Sequence, residues 1–270
     1  MVELYENEQV GIGRASSKGN QLKWRSGDRW YKADYTGYEG LSEYIVSGLL
    51  RFSDLRQEEY IPYRTEEIRY RETTYLGCAS ENFLPEGWQM FTLERLFGNC
   101  YGESLNEQIY RISDVKERIR FLVEQTERMT GLRDFGAYLS KMFALDALSL
   151  NEDRHTHNVA VLMDSEQNFH YCPFFDHGAA LLADTTMDYP LKADPYDCIR
   201  LAKAKTVCPD FNEQLDAAEE LYGQQVRFSF DRKDIVALLE REPYYSQGIK
   251  GRVEQILAEQ KRKYPYLFQD

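Results

Sequence analysis

The chain has 270 residues and a mass of 31.7 kDa, with 33 Lys+Arg against 45 Asp+Glu and a formal net charge of −12. A chain this long buries about 75% of the surface its unfolded form exposes, so one large domain or two lobes can fold around a core without disulfide or zinc staples. Its 43% hydrophobic and 29% charged composition excludes a disordered or fibrous protein, and no run approaches the ~20 apolar residues of a membrane helix. The net acidity also disfavours nucleic-acid binding by bulk charge. One stretch departs from that acidity: residues 11–32 hold Arg14, Lys18, Lys23, Arg25, Arg29 and Lys32 against Asp28 alone, a local +5 that leaves −17 elsewhere. An anionic ligand is expected there.

The opening MVELYENEQVG has neither a basic nor an apolar signal region, and the five cysteines (Cys78, Cys100, Cys172, Cys198, Cys208) include no CxxC pair. Both features lead to the expectation of reduced thiols, a cytoplasmic location and no membrane partner. In chain order, Gln21–Trp24 and Arg29–Asp34 flank a Gly-containing turn and predict a hairpin, with Lys32 within its second strand. Leu41, Tyr44, Ile45 and Leu49 recur at helical spacing, with Glu39 and Glu43 one turn apart on a neighbouring face. Thr65–Tyr75 reads as extended, and Trp88–Leu93 as an apolar connector. From about Glu94 the pattern is helical. Val115–Met129 is amphipathic and ends at Gly131, and an almost wholly apolar helix follows from an N-cap at Asp134 to Leu150. After the polar stretch Asn151–Asn158 come two short strands, Val159–Met163 and Phe169–Phe174, which run into Phe175-Asp-His-Gly178. Helices at Asn212–Tyr222, Asp231–Glu240 and Ser246–Lys261 complete the chain. The expected class is α+β and bilobal: a small strand-rich N-lobe, 1–92, and a larger helical C-lobe, 93–270.

An aspartate on a loop after a buried helix, an asparagine five positions later, a hairpin, and then Asp-His-Gly supply the groups that phosphoryl transfer needs. One carboxylate orients the accepting hydroxyl, while an amide and a second carboxylate hold Mg²⁺ against nucleotide phosphates. The upstream basic turn and strand lysine would balance the phosphate charge. A rival enzyme class rests on the histidines: His155-Thr-His157 with Asp153 and Asp176 could bind zinc or manganese for hydrolysis. In the kinase reading His155 instead buttresses the catalytic loop through hydrogen bonds. A catalytically silent nucleotide-binding pseudokinase is the third reading.

These residues resemble the HipA-like serine/threonine kinases, in the N-x-D-R-H-x-x-N of Asn151, Asp153, Arg154, His155 and Asn158, the D-x-G of Asp176–Gly178, and the S-x-x-G-x-Q-x-K of Ser16, Gly19, Gln21 and Lys23. The resemblance covers most of the chain and implies a protein-kinase-like fold, ATP and Mg²⁺ as cofactors, and a protein substrate that the sequence does not identify. It makes Asp153 the catalytic base and Asn158 and Asp176 the metal ligands. Lys32 would contact the α- and β-phosphates, with Glu39 as its helix partner and Glu43, one turn on, as the close alternative. Ser16 would be the autophosphorylated serine of the phosphate loop, with Ser17, Lys18 and Gly19 beside it. Met90, Thr92 and Glu94 would border the adenine. His177, which follows the metal aspartate in place of a phenylalanine, is not expected to pack as a hydrophobic switch residue. Together with the charge distribution this points to a nucleotide, with no direct nucleic-acid partner, and to a substrate with a basic face.

Overall fold

The structure is a computed structural model and describes residues 1–10 and 21–268, so Ser16, Ser17, Lys18 and Gly19 lie outside the described residues. The strands are β1 (Val2–Leu4), β2 (Lys23–Ser26), β3 (Arg29–Ala33), β4 (Arg64–Tyr70), β5 (Thr73–Glu81), β6 (Gln89–Thr92), β7 (Ala160–Met163) and β8 (Phe169–Tyr171). The helices are α1 (Glu39–Leu49), α2 (Leu93–Tyr101), α3 (Leu105–Arg111), α4 (Val115–Thr130), α5 (Phe135–Ser149), α6 (Pro195–Leu201), α7 (Phe211–Tyr222), α8 (Arg232–Arg241) and α9 (Gln247–Lys263). They cluster into two compact units. The first comprises Met1–Phe83, Phe175–Ala202 and Phe228–Asp270, and the second Leu84–Phe174 and Lys203–Arg227. The bounds differ from the expected 1–92 and 93–270, because long-range packing joins late segments of the chain to the strand-rich part.

In the first unit five strands form one sheet in the order β1-β4-β5-β3-β2, with β1 parallel to β4 and the other pairs antiparallel. The β2–β3 hairpin turns at Gly27, whose φ of +58° suits a residue without a Cβ. Thr65–Tyr75 is not one extended run but folds back between β4 and β5 at Arg71. Leu4, Trp24, Tyr31, Ala33, Ile68, Tyr70 and Ala79 make the buried apolar cluster of the sheet. Helix α1 lies close against β5: a Cβ on Gly40 would come within 2.4 Å of the Gly77 backbone, so two small residues set the approach. Further along, α1 meets α8, where the Tyr44 hydroxyl donates to the Leu238 carbonyl at 3.2 Å and Gly48 approaches the Leu238 side chain. Packed against both elements, α1 buries Glu39 and Glu43 as well as its apolar residues, so these glutamates form no solvated edge.

The connection from β3 to α1 has only five residues, and acidic side chains satisfy its main chain. Asp34 accepts from the Gly40 N–H at 2.6 Å and from the Tyr245 hydroxyl at 2.7 Å, tying the start of α1 to the turn before α9. Burial, reinforced by the nearby Glu39 and Glu242 carboxylates, lifts the Asp34 carboxyl to about 7. An acid whose folded pKa is raised binds its proton more tightly in the fold, so stability falls as pH rises from about 4 to about 7 and is flat above. Asp34→Asn should remove about 2–4 kcal/mol of that pH dependence while retaining an acceptor for Gly40, which urea titrations at pH 4.5 and 8 will measure.

In the second unit β6, β7 and β8 form an antiparallel sheet with β7 in the centre. Helix α4 ends at Gly131, in the left-handed region as expected. Asp134 does not cap α5; it too is left-handed, and Glu127 accepts the Phe135 N–H at 2.9 Å in its place. Twelve of the fifteen residues of α5 are buried, which makes it the central helix of this unit.

Candidate active-site elements

Lys32 lies on β3 opposite Cys78 of β5, and its side chain leaves the sheet toward α1. Its Nζ donates to Glu43 Oε1 at 2.7 Å and to Asp176 Oδ1 at 2.6 Å, and lies 5.4 Å from the centre of the Tyr63 ring. The side chains are 15% exposed for Lys32, 1% for Glu43 and 24% for Asp176. Burial opposes the Lys32 charge, but Asp176 and Glu43 outweigh it and hold the ammonium well above the ordinary lysine range. Burial also pushes the Glu43 carboxyl up, and the pull of Lys32 does not fully offset it. The partner of Lys32 is therefore Glu43 and not Glu39. Glu39 turns back instead and accepts the N–H groups of Tyr35, Thr36 and Gly37 and the Thr36 hydroxyl, at 2.7–3.2 Å. A carboxylate so placed serves the unpaired amides before a helix.

The segment after Asp176 is bound to α1. The His177 N–H donates to Glu43 Oε2 at 2.7 Å, and the Ser42 hydroxyl donates to the carbonyls of His177 and Ala180, both at 2.9 Å. Asp176 has a φ of +61°, a left-handed conformation that these bonds help to maintain. His177 is fully buried.

In the second unit Asn151–Asn158 forms a loop folded on its own side chains. Asn158 donates from Nδ2 to the Asp153 carbonyl at 2.8 Å and to Asp153 Oδ2 at 3.1 Å, while His155 Nε2 lies 3.6 Å from Asp153 Oδ1. Burial lowers the His155 pKa, Asp153 opposes this, and the charges of His157 and Lys205 reinforce it. Arg154 points inward; its side chain is 2% exposed, and its Nε lies 3.1 Å from Asp146 Oδ2, on α5. This buried pair was not foreseen, although an aspartate in the middle of an apolar helix is a signal that a partner must exist. Glu94 fixes the other end of the loop by accepting the Thr156 hydroxyl at 2.7 Å and the Asn106 N–H at 2.9 Å.

The proposed adenine border is β6. The Leu93 N–H donates to the Val159 carbonyl at 2.8 Å, and β6 is an edge strand. By the alternation of an antiparallel ladder, Gln89, Phe91 and Leu93 face β7, and the main-chain groups of Met90 and Thr92 face the outer edge. The Thr92 hydroxyl caps α2 by accepting the Arg95 N–H at 3.3 Å. The Glu94 side chain, through Oε2, is bonded to Thr156 of the Asn151–Asn158 loop and to the Asn106 N–H.

No family model and no curated protein matches the chain. Among solved structures, it is similar to the Helicobacter pylori proinflammatory kinase CtkA, with a TM-score of 0.61 over 98% of this chain and 95% of that one, at 17% identity. The chain has the fold of that kinase. A second similar structure is HipA of Shewanella oneidensis MR-1 in the complex of a toxin–antitoxin system with HipB and operator DNA, with a TM-score of 0.42, 13% identity, and coverage of 94% of this chain and 66% of that one.

Single donors in each unit suit Mg²⁺. Both hydrogen bonds that Asn158 makes to Asp153 come from its amide nitrogen, which leaves the amide oxygen as the group for a hard cation. In the first unit, Asp176 is a carboxylate, and Mg²⁺ is commonly held by one or two such oxygens together with substrate phosphates. The histidines offer less. His155 Nδ1 accepts the His157 N–H at 3.2 Å, and their rings meet edge to face at 5.4 Å. His170 is held by Asp164 at 2.8 Å and stacks on Trp88. Among the described residues no group of three or more His, Cys, Asp or Glu side chains is arranged to hold a metal. This leaves the hydrolase reading without a ligand set.

Proposed function

We propose that the chain is an ATP- and Mg²⁺-dependent kinase that transfers the γ-phosphate to a serine or threonine hydroxyl, on a protein substrate and on itself, with Ser16 as the expected site. The observation that carries this reading is the buried Lys32–Glu43 pair with Asp176 on the same ammonium, in a fold similar to that of a kinase. A lysine kept protonated by two carboxylates is suited to bind α- and β-phosphates, and Glu43 aims it. Adenine lies against the outer main-chain groups of Met90 and Thr92. Asn158 and Asp176 would hold Mg²⁺, which would supply positive charge to the phosphate oxygens. Asp153 orients the acceptor hydroxyl and takes its proton as the oxygen bonds to the γ-phosphorus and the bond to the β-phosphate oxygen breaks. His155, whose Nε2 lies 3.6 Å from Asp153 Oδ1, keeps that carboxylate in place.

Nucleotide binding should raise the melting temperature. At a hundredfold excess over Kd, Mg·ATP adds about 2.7 kcal/mol, which for a chain of this size is a shift of about 5–10 °C. Mass spectrometry after incubation with Mg·ATP should then find phosphate on serine or threonine. If millimolar Mg·ATP produces no shift, the kinase reading is wrong; a shift without any phosphorylated product identifies the silent nucleotide-binding module instead. Among the described residues no helix is long and apolar enough to cross a membrane.

A further inference from the structure

A short segment of the second unit, Lys203–Val207, is fastened along the catalytic loop. The Lys203 N–H donates to Glu152 Oε1 at 2.8 Å, and the Thr206 hydroxyl donates to the Arg154 carbonyl. These two anchors fall on the loop residues either side of Asp153. The rest of the segment is equally fixed: the Ala204 N–H donates to the Pro209 carbonyl at 3.1 Å, the Val207 N–H to Gln214 Oε1 at 3.2 Å, and Arg118 Nη1 to the Val207 carbonyl at 2.8 Å. Ala204 and Thr206 are buried while Lys203 and Lys205 are exposed, so the alternation presents both lysines outward from a rigid main chain. Among the described residues neither ammonium is paired with a carboxylate.

Phosphoryl transfer needs positive charge where the γ-phosphate meets the acceptor. The loop's one permanent cation cannot provide it, because Arg154 is directed into the core by Asp146 and by the Asn158 carbonyl, 3.1 Å from its Nη1. Lys205 lies between the two anchors that tie this segment to Glu152 and Arg154, and its charge acts on His155, next to the proposed base. We infer that Lys205 is a catalytic residue whose ammonium contacts the transferring γ-phosphate on the Asp153 side, in the role that the inward-turned Arg154 leaves open. This inference rests on the kinase reading.

Calorimetric titration of the full chain with Mg·ATP and Mg·ADP tests it. A charge-assisted contact to the γ-phosphate is worth about 10–100-fold in affinity. Lys205→Met should weaken Mg·ATP by about that factor and leave Mg·ADP within about twofold, because only ATP carries the γ-phosphate. Lys205→Arg should restore most of the loss, and Lys203→Met should change neither nucleotide comparably. An unchanged ATP-to-ADP ratio in Lys205→Met, or an equal weakening of both nucleotides, overturns the assignment of Lys205 and leaves the kinase reading intact. Failure of the unaltered protein to bind either nucleotide overturns the kinase reading itself, and the Lys205 inference with it.

Discussion

Asp153→Asn should bind Mg·ATP as the unaltered protein does and transfer its phosphate about 10²–10⁴-fold more slowly. The substitution is conservative in shape. An asparagine oxygen can still accept from the Asn158 amide, and the Asp153 carbonyl, the other acceptor of that amide, is untouched. The loop is also held from outside by the Arg154–Asp146 pair and by Glu94 through Thr156, neither of which involves the Asp153 carboxylate. What disappears is the proton acceptor, so the loss belongs in kcat. The comparison is a thermal shift with Mg·ATP, in which Asp153→Asn matches the parent, followed by a radiolabel transfer assay, in which it does not. Asp176→Asn should lose both signals, since it removes a metal ligand and one carboxylate of Lys32. Transfer at the parental rate by Asp153→Asn would show that the proton goes elsewhere.

Much of the candidate site is legible in the sequence because its signals are local. The β2–β3 hairpin is announced by its glycine turn, α1 by spacing, and the Asn151–Asn158 loop by its polar run after an apolar helix. The choice between Glu39 and Glu43 was not legible. Both are acidic, one turn apart, and near a helix start, and what separates them is tertiary: Asp176 and His177 are brought to Glu43 by a segment more than a hundred residues further on, while Glu39 is taken by amides two to four positions away. The same cause explains the unit bounds. Amphipathic spacing showed that α1 has an apolar face but not that α8 packs against it, nor that β1 pairs in parallel with β4. Asp134 has the composition of an N-cap, yet its left-handed backbone points the side chain away and Glu127, eight residues from Phe135, does the capping. Local chemistry nominates groups that can serve; packing selects among them.

The buried charge cluster gives the largest expected effect on stability. Lys32→Met should destabilise the fold by about 3–5 kcal/mol at pH 8, the usual cost of removing one partner from a buried ion pair. It leaves Glu43 and Asp176 with no cation between oxygens that both bonded the same nitrogen. Glu43 is already raised by burial, and Asp176 pushes it the same way, so loss of Lys32 drives it higher still. A carboxyl raised in the fold contributes stability below its unfolded pKa and loses it as pH climbs toward the folded value. The variant should therefore recover stability as pH is lowered from 8 toward 5, where a proton replaces the lysine, and urea titrations at the two ends will read the difference. Nucleotide binding should not return with the stability, since a neutral methionine cannot hold phosphates at any pH. A matched pair then separates the two glutamates. Glu43→Gln keeps an acceptor for the His177 N–H but removes the charge that aims Lys32, and should cut transfer by tenfold or more, on the order of the 1.5–3 kcal/mol carried by a charge-assisted contact. Glu39→Gln should cost about 1 kcal/mol of stability through weaker capping and leave transfer near the parental rate. The reverse outcome, with transfer lost in Glu39→Gln and kept in Glu43→Gln, would mean that the nucleotide-bound protein pairs Lys32 with the other turn of α1.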